Sequence, residues 1–200
     1  MSFPPRIAIA SRNAHKLREL GRICADWPVT WVTVNDHDPA GFPDVDETGE
    51  TYLDNALLKA RAVAAELGLP AMADDSGIEV DALGGRPGPR SARYAGRGVT
   101  DEQNLAALMA ALKGIPSDGR TARYRCVAAL AFPDGTELHA DGECEGALVT
   151  KRRGSGGFGY DPVFMPVGWD QTMAELTDEQ KDRVSHRGRA FRALRGLLDA

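Results

Sequence analysis

The chain has 200 residues, of which 42 % are hydrophobic and 26 % are charged, and its formal net charge is −5. These values predict one large folded domain, exclude an intrinsically disordered chain and argue against a general nucleic-acid binder, which is normally basic. Three cysteines without a Cys-x-x-Cys pair fit neither a disulfide framework nor a thiolate zinc site.

No apolar run approaches the roughly 20 residues that a membrane-spanning helix needs, and the first residues lack the apolar region of a signal peptide. We therefore expect a cytoplasmic protein without a membrane partner.

In the first half of the chain, the pattern predicts strands alternating with helices. The predicted elements are a strand at 6–10, a helix at 14–26, a strand at 29–34, a helix at 51–67 and a short apolar strand at 71–73. Thr51 and Asp54 form a capping box at the start of the second helix, and Gly68 ends it. The short strand is expected to deliver Asp74-Asp75-Ser76-Gly77 at its carboxyl end.

The second half begins with a Gly-, Pro- and Arg-rich segment that predicts a loop at 84–98. Capping boxes at Thr100 and Thr177 predict two further helices. The remaining predicted elements are a β-hairpin at 123–132 and 137–144 and a final helix carrying Phe191, Leu194 and Leu198. The whole pattern indicates an α/β fold.

Charge is distributed unevenly along the chain. Residues 35–54 contain seven acidic residues, Asp38 among them, and no Lys or Arg, whereas residues 181–195 contain six basic residues and one acid. A site for a metal ion and a polyanion would need such segregation, but the charge pattern alone favours two separate solvated faces.

Two polar segments follow predicted strands. Ser11, Asn13 and Lys16 lie at a helix N-terminus, where free amides and the helix dipole favour a phosphate, although ordinary capping is the alternative explanation. Asp74 and Asp75 lie where ligands of α/β sheets bind. Because neighbouring side chains of a strand point to opposite faces, we expect one of these acids to face a site and the other to anchor the loop. A simple polar turn is the alternative.

Gly154 to Gly159 has the G-x-G-x-x-G spacing of dinucleotide-binding folds. Pro162 prevents a helix from starting there, so we reject that interpretation. Phe158, flanked by glycines, is expected either to stack on a base or to fill the core beneath a flexible loop.

The basic C-terminal segment contains a further group of candidate ligands. Lys181 can neutralise a phosphate, and His186 and Arg187 can donate hydrogen bonds to a carbonyl group of a base. A solvated basic face is again the alternative.

Taken in order, seven segments strongly resemble the inosine triphosphate pyrophosphatase family, whose members remove non-standard purine nucleotides. They are Ser11-x-Asn13-x-x-Lys16, Asp46-Glu47-Thr48-Gly49, Asn55-Ala56-x-x-Lys59-Ala60, Asp74-Asp75-Ser76-Gly77, Ser91-Ala92-Arg93-Tyr94, Gly157-Phe158-Gly159-Tyr160-Asp161-Pro162 and Ser185-His186-Arg187-Gly188. The resemblance spans nearly the whole chain, and seven segments in one order are far more specific than any single one.

The resemblance implies a mixed central β-sheet with flanking helices, two lobes around a nucleotide cleft and a homodimer. It implies Mg²⁺-dependent hydrolysis of ITP, dITP and XTP to the monophosphate and pyrophosphate, without a nucleic-acid partner. Asp75 is the implied proton acceptor and, with Glu47, organises the metal. Asp46 stands where relatives often carry a second glutamate, which leaves the metal ligand of this pair open. The implied substrate-binding residues are Ser11, Arg12, Asn13, Ala14, His15, Lys16, Lys59, Ser76, Phe158, Gly159, Tyr160, Asp161, Lys181, His186 and Arg187.

On this basis we expect water, deprotonated by Asp75 or by a magnesium-bound partner, to attack the α-phosphorus in line. Arg187 is expected to read the 6-keto oxygen of the base, so that Arg187→Ala narrows the preference for ITP over ATP. Two alternatives remain: a related enzyme for pyrimidine triphosphates, and a nucleotide sensor that does not hydrolyse. The acids Glu47, Asp74 and Asp75 argue against the sensor, because a pure binder needs no carboxylates beside a polyanion.

Overall fold

The computed structural model describes residues 3–36 and 42–199, so the predicted acidic residue Asp38 lies outside the described part of the chain. The strands are β1 (Arg6–Ile9), β2 (Thr30–Val32), β3 (Ala71–Val80), β4 (Thr121–Ala131), β5 (Glu137–Leu148) and β6 (Phe164–Pro166). The α-helices are α1 (Ala14–Ile23), α2 (Tyr52–Leu67), α3 (Asp101–Ala111), α4 (Asp178–Val184) and α5 (His186–Asp199). Short 3₁₀ helices occupy Asp81–Leu83, Gly88–Arg93 and Ser117–Gly119.

Among the described residues, the strands form one mixed sheet in the order β2-β1-β3-β4-β5-β6. β1 pairs in parallel with β2 and β3, whereas β5 and β6 are antiparallel. The predicted mixed α/β fold is therefore confirmed. None of the described helices combines the length and the apolar character that crossing a membrane requires.

The helix boundaries follow from local capping. Thr51 accepts a hydrogen bond from the amide of Asp54, whose carboxylate accepts from the amide of Thr51. The boxes at Thr100 and Thr177 close in the same reciprocal way. α2 ends at Gly68, whose φ of 61° lies in the left-handed region that glycine enters without steric cost. These predictions of helix starts and stops are confirmed.

β3 is longer than predicted. The sequence analysis ended this strand at Ala73 and placed the acids after it, but the strand runs on through Asp74 and Asp75 to Val80. The predicted end of the strand at Ala73 was wrong because the local preference of Asp-Ser-Gly for turns, which had suggested a polar turn as the alternative, is overridden by the neighbours of β3 in the sheet. The acids lie within the strand and beyond the end of β1, which stops at Ile9.

The chain divides into two compact units. The first comprises Met1–Asp75, Cys126–Gly142 and Arg187–Ala200, and the second comprises Ser76–Arg125 and Glu143–His186. The cleft that the family resemblance implies stays a prediction.

In the first unit, apolar side chains pack on both faces of the sheet. Ile7, Ile9 and Met72 contribute to a core that contains Leu20 of α1 and Phe191 of α5. The intervening residues belong to a second core on the α2 side, and they are Ala8, Ala10, Ala71 and Ala73. This alternation of period two means that Asp74 continues the α1/α5 face and Asp75 continues the α2 face.

The second unit has its own core, built from the distal half of β3, α3, and parts of β4 and β6. Its fully buried side chains include Ile78, Leu105, Leu108 and Phe164. Arg120, which is 8 % exposed, donates hydrogen bonds to the carbonyl oxygens of Leu112 and Ile115 and so satisfies acceptors beyond the end of α3.

Candidate active site

The site in the first unit begins where β1 leaves the sheet. The amide of Ala8 donates to the carbonyl oxygen of Pro70 at 2.8 Å, and the amide of Ala10 donates to that of Met72 at 2.7 Å. These bonds recur every second residue, as the register of parallel strands requires. The next bond in the series would join the amide of Arg12 to the carbonyl oxygen of the second residue after Met72.

That next acceptor is the main-chain oxygen of Asp74, and two lysine side chains occupy it. The Nζ atoms of Lys16 on α1 and Lys59 on α2 donate to it at 3.2 and 2.8 Å. The chain has already turned away into α1, whose N-cap is Asn13. Two ammonium groups therefore satisfy a carbonyl oxygen that a longer β1 would have bonded, and they meet at this position of β3.

Asp75 lies on the α2 face and is 4 % exposed. The side-chain amide of Asn55 donates to its Oδ2 at 3.0 Å, and Lys59 Nζ is 3.9 Å from its Oδ1. Burial raises the pKa of Asp75 above its ordinary value; the lysines oppose this and the carboxylate of Glu47 adds to it. A carboxylate with a raised pKa takes up a proton more readily than an ordinary aspartate does.

Glu47 reaches the same place from the acidic segment. Its carboxylate forms an ion pair with Lys59, whereas the side chain of Asp46 is exposed. The amide of Gly49 donates to Asn55 Oδ1 at 2.8 Å, which ties the acidic segment to α2. A Cβ atom on Gly49 would lie only 2.8 Å from that oxygen, so a larger residue would push the segment away.

Lys59 is held by three acceptors: the carboxylates of Glu47 and Asp75 and the carbonyl oxygen of Asp74. Burial alone would lower the pKa of Lys59, but the charges of Asp75, Glu47 and Asp74 outweigh burial and raise it. Lys59 is therefore an ammonium ion across the physiological range of pH.

The carboxylate of Asp74 lies on the other face and is surrounded by cations. Its Oδ2 accepts from Arg187 Nε at 3.2 Å, from Arg187 Nη2 at 3.0 Å and from Lys16 Nζ at 3.1 Å. Burial would raise the pKa of Asp74, but Arg187, Lys16 and Lys59 together lower it well below the ordinary value. Asp74 is thus a fixed anion rather than a base, and the sequence prediction that one acid of the pair acts as an anchor fits this geometry.

Arg187 is placed differently from the sequence expectation. Its side chain is 2 % exposed, and its Nη1 donates to Glu19 Oε2 at 2.5 Å while its other nitrogens bind Asp74. The guanidinium bridges two buried carboxylates, and contact with a base stays a prediction. Sequence reasoning missed Glu19; the available signal was a charged residue next to Leu20 on the apolar face of α1.

The turn before α1 is a helix cap. Asn13 Oδ1 accepts from the amides of His15 and Lys16 at 2.9 and 3.3 Å, and Ser11 Oγ accepts from the amide of Asn13 at 3.2 Å. The expectation of free amides at this helix start was wrong for these three amides, because the Asn13 and Ser11 side chains already bind them. Ala14, the first residue of α1, is exposed.

Arg12 and His15, which were predicted to bind substrate near this turn, have other contacts in the structure. The guanidinium of Arg12 donates to the carbonyl oxygen of Phe42, and the ring of His15 is 2.8 Å from a guanidinium nitrogen of Arg18. Lys16, by contrast, reaches the acidic pair from this turn and contacts Asp74.

In the second unit, Asp161 organises a separate cluster. Its Oδ2 accepts from Lys181 Nζ at 2.6 Å and from the amide of Phe158 at 2.8 Å, and its Oδ1 accepts from the hydroxyl of Tyr124 at 3.2 Å. Lys181 Nζ lies 5.2 Å from the centre of the Phe158 ring, within the range of a cation–π contact. Gly157 has a φ of 68°, and a Cβ atom there would lie 2.1 Å from Asp161 Oδ2, so only glycine fits.

The other residues predicted in this unit make separate contacts. His186 is stacked on Tyr124, with ring centres 4.5 Å apart and planes inclined by 9°. The hydroxyl of Tyr160 donates to the carbonyl oxygen of Ser91 at 2.7 Å, which anchors this segment internally. Burial raises the pKa of Tyr160. The amide of Gly159 donates to Asp101 Oδ2 at 3.1 Å. Ser76, which lies within β3, is half-buried.

The donor set near Lys59 suits a hard cation. Glu47 and Asp75 offer only carboxylate oxygens, and Mg²⁺ is commonly bound by one or two carboxylates together with substrate phosphates. Within residues 3–36 and 42–199, no group of three or more His, Cys, Asp or Glu side chains is arranged to hold a metal by itself. The residues present therefore fit a cation that the phosphates of a substrate help to bind.

Comparison with known proteins connects this geometry to a family. The model of the Ham1 family matches residues 7–197. The dITP/XTP pyrophosphatase of Streptomyces coelicolor is 50 % identical over 189 residues, which is 94 % of each chain, and that of Geobacter sulfurreducens is 47 % identical over 96 % of each chain. The structure of a HAM1 protein from Coxiella burnetii superposes with a TM-score of 0.86 at 37 % identity, covering 98 % of this chain and 99 % of the other. The predicted family resemblance is confirmed, and this chain belongs to the Ham1 family.

Proposed function

We propose that this protein is a nucleoside triphosphate pyrophosphatase that hydrolyses dITP, XTP and ITP to the monophosphate and pyrophosphate. The names of its relatives in Streptomyces and Geobacter support the substrate class. The observation that carries the proposal is the meeting of Lys16 and Lys59 over the Asp74 carbonyl oxygen, beside the carboxylates of Asp75 and Glu47. Cleavage between the α- and β-phosphates removes non-standard purine nucleotides from the nucleotide pool.

Asp75 is the proposed proton acceptor. Its raised pKa makes it a better base than an exposed aspartate, and the hydrogen bond from Asn55 fixes the orientation of its carboxylate. Water that donates a hydrogen bond to Asp75 is oriented for in-line attack on the α-phosphorus, and its proton passes to the Asp75 carboxylate.

Lys16 and Lys59 are the proposed phosphate-binding residues. Both Nζ atoms already donate hydrogen bonds to the same carbonyl oxygen of Asp74. They can therefore stabilise the negative charge that develops on the departing pyrophosphate without moving far. Ser11, Arg12, Asn13, Ala14 and His15 complete the proposed phosphate-binding turn.

Glu47 and Asp75 are the proposed metal ligands, with Mg²⁺ as the ion. The side chain of Glu47 faces Lys59 whereas that of Asp46 is exposed, which favours Glu47 over Asp46. When bound, Mg²⁺ supplies positive charge to the phosphate oxygens.

Base recognition is proposed for the cluster around Asp161. Phe158 offers a half-buried ring for stacking, and Lys181 and His186 carry nitrogen donors. Ser76, Gly159, Tyr160 and Arg187 complete the proposed substrate-binding set. We also propose that the protein is a cytoplasmic homodimer without a nucleic-acid partner; sedimentation as a monomer at micromolar concentration would contradict the dimer.

Product analysis tests the proposal. Purified protein is incubated with Mg²⁺ and, separately, with ITP, dITP, XTP, GTP, ATP and dTTP. We expect pyrophosphate and the monophosphate from ITP, dITP and XTP, with little product from ATP. Orthophosphate release would move the cut to the γ-phosphate, preference for dTTP would favour a pyrimidine enzyme, and tight binding without product would favour a sensor.

A further inference from the structure

We infer that Glu19 is a positioning residue for the phosphate-binding lysines, acting through Arg187 and Asp74. The inference rests on the proposed function for its meaning in catalysis, but its structural content is independent of the substrate.

Three successive ion pairs of alternating charge link four side chains. Glu19 pairs with Arg187, Arg187 pairs with Asp74, and Asp74 pairs with Lys16. Glu19 and Lys16 are three residues apart on α1 and therefore lie on the same face of that helix. These ion pairs tie α1, which carries one of the proposed phosphate-binding lysines, to β3 and to the first turn of α5.

Three of the four side chains are buried, so their charges are weakly screened. Glu19 is 5 % exposed, Asp74 3 % and Arg187 2 %. A buried charge that loses its partner is strongly destabilised, and neighbouring groups rearrange to compensate. A neutral residue at position 19 would leave Arg187 and Lys16 competing for the single carboxylate of Asp74.

The way in which Arg187 binds Asp74 shows what Glu19 contributes. Both Nε and Nη2 of Arg187 bind the same oxygen, Oδ2, which also accepts from Lys16. The other oxygen, Oδ1, is buried and has no hydrogen-bond partner within the described residues. A guanidinium next to a carboxylate ordinarily forms two parallel bonds, one to each oxygen.

The bond from Nη1 to Glu19 holds the guanidinium in this unusual orientation. Without it, Arg187 is free to turn toward the two-oxygen arrangement and to rotate the Asp74 carboxylate, which carries Oδ2 away from Lys16. Lys16 would then lose one of its two anchors and keep only the carbonyl oxygen of Asp74. The expected consequence is a displaced ammonium group at the phosphate site.

The test compares Glu19→Gln with Glu66→Gln, which makes the same chemical change at an exposed position on α2. The affinity for pyrophosphate is measured by calorimetry, and kcat and KM are measured for ITP, XTP and ATP. We expect Glu19→Gln to weaken pyrophosphate binding and to lower kcat/KM by about 10- to 100-fold, since a misplacement of roughly 1 Å has effects of this size. The loss should be equal for the three nucleotides.

A purely structural role would lower the melting temperature without changing the pyrophosphate affinity of the folded protein, and that result would overturn the inference. A changed ITP-to-ATP ratio with unchanged pyrophosphate affinity would overturn it as well, because Glu19 would then act on recognition of the base and not on the phosphate-binding lysines. If Glu19→Gln does not fold, Glu19→Asp retains the carboxylate and is expected to give an intermediate loss; wild-type pyrophosphate affinity in that variant would contradict the inference. Should the wild-type protein hydrolyse none of the nucleotides, the proposed function fails while pyrophosphate binding still decides the role of Glu19.

Discussion

Lys16 and Lys59 donate to one and the same main-chain oxygen, that of Asp74, from two different helices. Their ammonium groups are neighbours in the structure although 43 residues separate them in the sequence. The acceptor is available because β1 ends before it can reach this position of β3. The end of one strand therefore determines where two positive charges meet.

Lys16→Met should weaken pyrophosphate binding. A hydrogen bond from a charged donor contributes about 1.5–3 kcal/mol, which corresponds to roughly 10- to 100-fold in affinity. Calorimetric titration with pyrophosphate measures the change. Lys113→Met, at an exposed position beyond α3, is the matched control and should bind as the wild-type protein does. Equal affinity of the two variants for pyrophosphate would show that Lys16 does not bind phosphate.

Lys59→Met should bind Mg²⁺ more tightly than the wild-type protein when no nucleotide is present. The ammonium group pairs with Glu47 and lies near Asp75, so a cation bound to these carboxylates must displace it or share them with it. Interactions between unit charges about 4 Å apart contribute several kcal/mol at an effective dielectric constant near 20, so we expect a gain of at least roughly tenfold.

Calorimetry with Mg²⁺ measures this gain, and Lys16→Met serves as the comparison because Lys16 pairs with Asp74 rather than with Glu47. Hydrolysis by Lys59→Met should fall while its metal affinity rises. Weaker metal binding in this variant would show that the ion does not bind between Glu47 and Asp75.

Asp75→Asn should lose turnover by about 10²- to 10⁴-fold, the usual contribution of a general base, and should be more stable at pH 7. Burial raises the pKa of Asp75 above the ordinary value of 3.8, so the ionised carboxylate is less favourable in the folded than in the unfolded chain. The stability gain should be present above the folded pKa and vanish as the pH falls below about 3.8. Thermal unfolding across this range measures it, with the exposed Asp118→Asn as control; a lower melting temperature at pH 7 would contradict the argument.

Asp74→Asn should have the opposite dependence on pH. The folded-state pKa of Asp74 is lowered, so its charge stabilises the fold above the unfolded value of 3.8, and this contribution is lost as the pH falls toward the folded-state pKa. Breaking a buried ion pair costs about 3–5 kcal/mol. Urea unfolding at pH 6 and at pH 3 should therefore show a large difference from the wild-type protein at pH 6 and a smaller one at pH 3. The same difference at both values would mean that Asp74 is not ionised in the fold.

Much of the fold could be predicted because its signals are local. The capping boxes at Thr51, Thr100 and Thr177 indicated where three helices start. The periodicity of apolar residues indicated which face of a helix is buried. β3 could not be predicted beyond Ala73, because its continuation depends on neighbouring strands rather than on the turn preference of Asp-Ser-Gly. β6 was also missed, since three residues are too few for a periodic pattern.

The site was predicted in its residues more than in its contacts. The order of the motifs indicated Glu47, Lys59 and Asp75, which the structure brings together. The motifs gave no role to Asn55, which fixes Asp75, and they did not include Glu19, which binds Arg187. Both residues act through buried contacts between distant elements, and such contacts leave no spacing rule in a single sequence.

The Asp74 carbonyl oxygen also bears on the stability of the fold. Asp74 is 3 % exposed, so without the two lysines this oxygen would be a buried acceptor lacking a donor, which costs about 1–3 kcal/mol. The same two ammonium groups therefore satisfy a buried acceptor and form the proposed phosphate site. A mutation that removes both lysines would be expected to lower the melting temperature as well as to abolish catalysis, so the two side chains are constrained for two independent reasons.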